Sequence, residues 1–238
     1  MKLCNRRRSA RGGGPEARPN VFLGSLDRVL LAMAAHLPVR AVIAPRGRLR
    51  NMRLEQRLRD EGTHWREISG GDEYLAAVAD LGPKGYCAVA GFSWRIRRDF
   101  IDSSEAVINF HPGDLLRCRG PQPLEAALCH GHAEVGVSAH LIDSEELDRG
   151  PLIARRLMPV DPERGYSWHK YQVDRLTFEL ADELFADLAR GNVLRAQGWD
   201  SSGARWYDKP PAETLKRLYS APSLAKFYRD TDIADLRG

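Results

Sequence analysis

The chain is 238 residues long, 43% hydrophobic and 29% charged, with a formal net charge of +4 at pH 7. That is enough apolar residue for one substantial core but not for two full domains. No apolar run approaches the ~20 residues of a membrane span, and the four cysteines, Cys4, Cys87, Cys118 and Cys129, lack both CxxC spacing and the density of a secreted scaffold, so a cytoplasmic setting with reduced thiols and no membrane partner is expected.

The charge divides unevenly. Lys2, Arg6, Arg7, Arg8, Arg11 and Arg18 against Glu16 give residues 1–20 a charge of +5, which leaves about −1 for the rest. This arm carries Gly12-Gly13-Gly14-Pro15, no periodic apolar residues and no signal-peptide core; a disordered basic extension is expected. Val21 to Ser25 then reads as a strand running into a turn, followed by the helical apolar face Val29, Leu30, Met33 and Leu37. Val39 to Ala44 is a strand stopped by Pro45, Asn51 to Glu61 a charged helix, His64 to Ile68 a short strand, and Tyr74 to Leu81 a helix. Tyr86 to Gly91 reads as a buried strand, and Ala106-Val107-Ile108-Asn109 as another, carrying Asn109 and His111 to its carboxyl end. A short helix over Pro123 to His130, strands over Gly136 to Ile142 and Leu152 to Met158, and a long helix from Trp168 to Arg190 complete the pattern. On that last helix Leu176, Leu180, Leu184 and Leu188 form a stripe expected to be core.

This alternation predicts an α/β fold, Rossmann-like, with a mostly parallel sheet covered by helices on both faces. The expected division is a basic arm over 1–20, a catalytic domain over 21–192, and a small tail over 193–238 that packs on the domain or binds a partner. Ligands of such sheets bind outside the carboxyl ends of the strands, which draws attention to Asn109-Phe110-His111-Pro112-Gly113 and to Asp148-Arg149-Gly150-Pro151-Leu152-Ile153. Together they supply an amide, an imidazole and a carboxylate, the groups needed to polarise a carbonyl and move a proton. Gly24-Ser25 could bring backbone N–H groups to an anion, but the turn has neither GxGxxG nor GKS/T, so dinucleotides and ATP are not expected. Cys129-His130-Gly131-His132 lacks a second ligand pair, and no metal is expected.

Four blocks occur in order: Asn109/His111/Pro112/Gly113, Arg119-Gly120, Gly136-Val137-Ser138-Ala139-His140, and Asp148-x-Gly150-x-Leu152-Ile153. With them the chain resembles the formyltransferases that use 10-formyltetrahydrofolate, enzymes of one-carbon metabolism. The resemblance implies Asn109, His111 and Asp148 as catalytic residues, with Asn109 and a protonated His111 stabilising an oxyanion and Asp148 favouring the imidazolium. It implies a folate pocket walled by Ala90 to Ile96, largely through main chain, with Phe92, Trp94, Arg95, Ile96 and Asp143 as donor-binding residues. His140 belongs to the pattern as a structural or supporting residue. Relative to the family, the stretch from Gly136 to Asp148 carries one residue more, which predicts either a bulged loop before Asp148 or a slightly different placement of Asp148, and the segment Gly113 to Gly120 lacks the proline usual near Leu116.

The leading functional expectation is formyl transfer from 10-formyltetrahydrofolate to the amine or hydroxylamine nitrogen of a small metabolite, such as an amino sugar nucleotide or a hydroxyornithine-type siderophore precursor. Formylation of methionyl-tRNA is an alternative. The near-neutral body, and the 48 residues after Arg190 in place of a β domain of roughly a hundred, count against it and against nucleic acid as a partner. Hydrolysis of 10-formyltetrahydrofolate and a non-catalytic folate-binding role are the remaining readings. A homodimer through the late strands or the tail fits the pattern.

Overall fold

The computed structural model describes residues 18–230; the basic arm lies, but for its last three residues, outside them. The chain alternates β1 (Asn20–Gly24), α1 (Asp27–His36), β2 (Val39–Pro45), α2 (Met52–Asp60), β3 (His64–Ile68), α3 (Gly71–Ala79), β4 (Lys84–Ala90), α4 (Arg98–Asp102) and β5 (Ser104–His111). It continues through β6 (Cys118–Arg119), α5 (Pro123–Cys129), β7 (Glu134–Leu141), β8 (Leu152–Pro159) and the 24-residue α6 (Tyr166–Ala189). Beyond these lie β9 (Arg205–Trp206), α7 (Ala212–Ser220) and α8 (Leu224–Asp230). The expected elements form within a few residues of their predicted bounds. The five-residue α4 is an addition, too short for helical periodicity to register.

Seven strands make one sheet in the order β3-β2-β1-β4-β5-β7-β8. The first five pair in parallel, β7 runs antiparallel to β5, and β8 antiparallel to β7. The sheet is thus mostly parallel, with an antiparallel hairpin added at one edge. Because side chains alternate across a strand, each strand feeds two cores. Phe22, Val42, Ala88, Ile108, Phe110, Val137 and Ala139 face α1, α2 and α6. Val21, Leu23, Ile43, Cys87, Val89 and Val107 face α3 and α4. With both faces covered, the central strands read as nearly continuous apolar runs.

The leucine stripe of α6 is rotated from the expected seam. Leu180 and Leu188 are buried, but Leu176 and Leu184 are half-covered at the margin, and the centre of the buried face is Thr177, Ala181 and Phe185. The first turn of the sheet also has a clear assignment. Ser25 and Leu26 N–H both donate to Ala90 O, at 2.9 and 3.2 Å. A Cβ on Gly24, whose φ is +145°, would stand 1.9 Å from that oxygen. Gly24 therefore allows β1 and β4 to close together, and the Ser25 and Leu26 N–H groups are held by Ala90 O.

Candidate active site

Asn109 and His111 share the α3/α4 face of the sheet with Val107, at the carboxyl end of β5, and the antiparallel register sets Asn109 opposite His140 and His111 opposite Ser138 on β7. His140 is 1% exposed. Its Nδ1 is 2.9 Å from Leu141 O; a carbonyl only accepts, so Nδ1 carries the proton. Nε2 then accepts from Asn109 Nδ2 at 3.0 Å. This bond fixes the orientation of the amide and leaves its second N–H and its Oδ1 for other partners. Sequence reasoning placed His140 in a supporting role but did not reach this contact; the signal was its register, since it is the strand partner of Asn109.

His111 is 4% exposed. Its Nε2–H donates to Cys118 O at 2.9 Å, and its Nδ1 stands 3.6 Å from Asp148 Oδ1, beyond direct hydrogen-bond range. Burial lowers the pKa of His111 from its ordinary value, and the nearby Asp148 carboxylate and Cys118 carbonyl pull it up without offsetting the loss of solvent. With Nε2–H held by the Cys118 carbonyl, the Nδ1 edge of the ring is the one that faces Asp148. Burial alone would raise Asp148, but the His111 and His140 imidazoles beside it and the Gly120 N–H, which donates to Oδ2 at 3.0 Å, hold it down at about 2. The carboxylate is a fixed negative charge that will favour a proton arriving at His111 Nδ1.

Asp148 itself has φ +54°, a left-handed conformation that Asp tolerates better than most residues. The stretch from Gly136 to Asp148 carries one irregularity in its strand pairing. The irregularity lies in the β7–β8 ladder, where the register shifts between Ala139 and His140. Downstream of His111, the missing proline is replaced by side-chain bonding. Asp114, 4% exposed, accepts the Leu116 N–H through Oδ1 at 3.2 Å and Arg155 Nη1 at 2.9 and 3.0 Å. Asp114 O also accepts from Arg117 N and Cys118 N. The same carboxylate shapes the turn and ties it to β8.

The expected pocket wall follows β4. Phe92 stands edge-on to Tyr74 and to Trp94, at 5.2 Å in each case, and Ile96 is buried in the α3/α4 core. These three side chains turn into the protein; Arg95 and Asp143 are exposed, and Asp143 O accepts from Arg98 Nη1 at 3.2 Å. With the apolar side chains committed to packing, what this segment offers a ligand is main chain. Cys129 is buried at 1%, and His132 Nε2 is 3.1 Å from Tyr207 OH, a role sequence reasoning did not find.

A doubly wound sheet thus gathers an amide, an imidazole and a carboxylate outside the carboxyl end of a central strand, where ligands of α/β sheets bind. Residues 33–176 match the sequence model of the formyl transferase family, which is more than half the chain, and the chain belongs to that family. It is 30% identical over 106 residues to the methionyl-tRNA formyltransferase of Coprothermobacter proteolyticus, a match covering 44% of this chain and 34% of that one. The matched stretch thus spans about a third of the length of that curated relative. Among solved structures it resembles the N-formyltransferase from Helicobacter canadensis in complex with folinic acid and dTDP-3-aminofucose, with TM-score 0.64 and 13% identity over 81% of this chain and 71% of that one. It also resembles phosphoribosylglycinamide formyltransferase from Streptococcus pneumoniae, with TM-score 0.61 and 19% identity over 72% and 98%. At these identities the structural likeness concerns the fold. No described helix is long and apolar enough to cross a membrane.

Proposed function

We propose that the chain transfers a formyl group from 10-formyltetrahydrofolate to the amine nitrogen of a small, phosphate-bearing metabolite, an amino sugar nucleotide being the leading class. The observation that carries this reading is the linked set Asn109–His140 and His111–Asp148 at one strand end. As the amine attacks, negative charge develops on the formyl oxygen, and the second N–H of Asn109 donates to it; one well-placed donor of this kind lowers a barrier by ~3 kcal/mol. The attacking amine must shed a proton. Neutral His111 accepts it at Nδ1, where Asp148 stabilises the resulting imidazolium, and the proton is then passed to the leaving nitrogen. No covalent bond to the enzyme is required, and Cys118, whose thiol is pushed up to about 12 by burial, takes no part.

The donor fits the Gly91 to Arg97 segment. A pterin presents a hydrogen-bonding edge that main chain can read, and the backbone of Phe92, Trp94, Arg95 and Ile96 supplies it, with Asp143 as a further donor-binding residue. The co-crystallised ligands named for the Helicobacter canadensis enzyme, folinic acid and dTDP-3-aminofucose, support this pairing of donor and acceptor classes.

A second reading has its own support. Six arginines against the single acid Glu55 lie between Arg46 and Arg59, beginning at the carboxyl end of β2, and methionyl-tRNA formyltransferases are among the relatives. Such a patch suits any phosphorylated acceptor, tRNA included. Two measurements decide. Calorimetry with 5-formyltetrahydrofolate should show binding; none up to millimolar concentration would remove the donor assignment. Competition among amino sugar nucleotides, N-hydroxylated amino acids and methionyl-tRNA, with product masses checked for one added formyl group, should favour a small amine. Salt-sensitive formylation of the tRNA alone would transfer the assignment to the second reading.

A further inference from the structure

We propose that the two-stranded ladder of β6 with β9 is a positioning element for the His111–Asp148 pair, so that the segment Ala204 to Tyr207 belongs to the catalytic apparatus although none of it touches the reacting groups. The inference rests on the formyl-transfer reading and assigns the tail a task within it.

The argument starts from strand geometry. In an extended segment successive peptide groups point to opposite edges. Along Arg117 to Gly120 one edge is occupied by the tail: Arg205 N–H donates to Arg117 O at 3.1 Å and Tyr207 N–H to Arg119 O at 2.9 Å. The intervening groups point the other way, where Cys118 O receives the Nε2–H of His111 at 2.9 Å and the Gly120 N–H reaches Asp148 Oδ2 at 3.0 Å. The four-residue segment therefore has two edges, one held by the tail and one holding both proton-handling groups. A shift of the first moves the second.

Two side-chain observations tie the ladder down. Arg119, 7% exposed, donates from Nη2 to Ala204 O at 3.2 Å, clamping the two strands through a buried cation. Gly120 has φ +105°, and a Cβ there would stand 2.2 Å from Tyr207 O, so the close approach of the tail depends on glycine at this position. The tail has its own anchorage, since Leu218, Leu224 and Phe227 pack with Leu124, Leu128 and Val173. The ladder thus joins the active-site loop to a packed body rather than to a loose end.

The test removes one ladder bond without touching the site. Arg205 is exposed and its N–H is the bonding group, so Arg205→Pro deletes the donor while Arg205→Ala keeps it and deletes only the side chain. Arg205→Pro should lower kcat at least tenfold, leave the Kd for 5-formyltetrahydrofolate within twofold, and move the NMR titration of His111 upward toward that of an ordinary histidine. Arg205→Ala should match the wild type in all three. If Arg205→Pro does not fold, Arg119→Ala, which releases Ala204 O, carries the same readouts. A folded ladder variant with wild-type kcat and an unmoved His111 titration overturns the proposal, as does equal loss in Arg205→Ala. If His111 shifts as expected but wild-type protein formylates no amine, the formyl-transfer reading fails and the ladder's role in holding His111 stands.

Discussion

At the scale of single residues, the site is a set of buried polar groups each paid for by a specific bond. Asn109 is worth a hydrogen bond to the developing oxyanion, so Asn109→Ala should lower kcat roughly a hundredfold with little change in folate affinity. Steady-state kinetics beside calorimetry would test this, and near-wild-type kcat would remove the mechanism. The pH dependence of stability follows from two shifts of the same sign. His111 resists protonation when folded, so the unfolded chain binds the extra proton and stability begins to fall as pH drops below about 6.5. Asp148 is held at about 2 against 3.8; its contribution, about 2 kcal/mol, is present above pH ~4 and lost as pH falls toward 2. Urea midpoints measured across this range should show the lower stage in the wild type and not in Asp148→Asn. A variant that tracks the wild type below pH 4 would refute the assignment. The amide, imidazole and carboxylate could be picked out from the motif blocks. The downward shift of the His111 pKa could not, because it depends on burial by elements distant in the chain.

At the scale of elements, α6 supports the site from the opposite face of the sheet. Phe185 is fully buried and stands 5.7 Å from Phe110, the residue between Asn109 and His111. Phe185→Ala leaves a cavity that the rigid sheet cannot close and should cost about 4 kcal/mol of stability, read as a lowered urea midpoint. The void lies under β5, so kcat should fall as well. An unchanged midpoint would show that Phe185 is not the core contact described. The helix and its leucine stripe were evident from apolar periodicity; Leu180 and Leu188 are core and Leu176 and Leu184 pack against it, while Thr177, Ala181 and Phe185 complete the packed surface. The short α4, the Asp114 turn and the β6–β9 pair had no periodic signal, being too brief or held by partners far away in the sequence.

At the scale of the whole molecule, net charge conceals distribution. Among the described residues no acidic side chain pairs with Arg48, Arg50 or Arg53, and the loop after β2 and the first turn of α2, which carry them, leave the same end of the sheet as the candidate site. Three strand spacings, roughly 14 Å, separate β2 from β5, a distance that the diphosphate of a nucleotide sugar can bridge. Replacing all three by glutamate should raise the KM for a phosphorylated acceptor about tenfold at low salt, with the difference shrinking as salt rises, while donor affinity stays unchanged. Equal KM values in wild type and variant at low ionic strength would assign acceptor recognition elsewhere.

Local pattern by itself determined the succession of strands and helices and the mostly parallel character of the sheet, and it singled out Asn109, His111 and Asp148 as candidates, because apolar periodicity and contiguous motifs are written within a few residues of one another. The tertiary structure alone decided which groups those three residues meet. His140 faces Asn109 through an antiparallel register, Cys118 and Gly120 hold His111 and Asp148 through one edge of a short strand, and residues some 85 positions later hold the other edge. Each of these depends on backbone groups, which every residue carries alike, brought together by folding; a peptide carbonyl has no signature in a sequence until the chain has placed it.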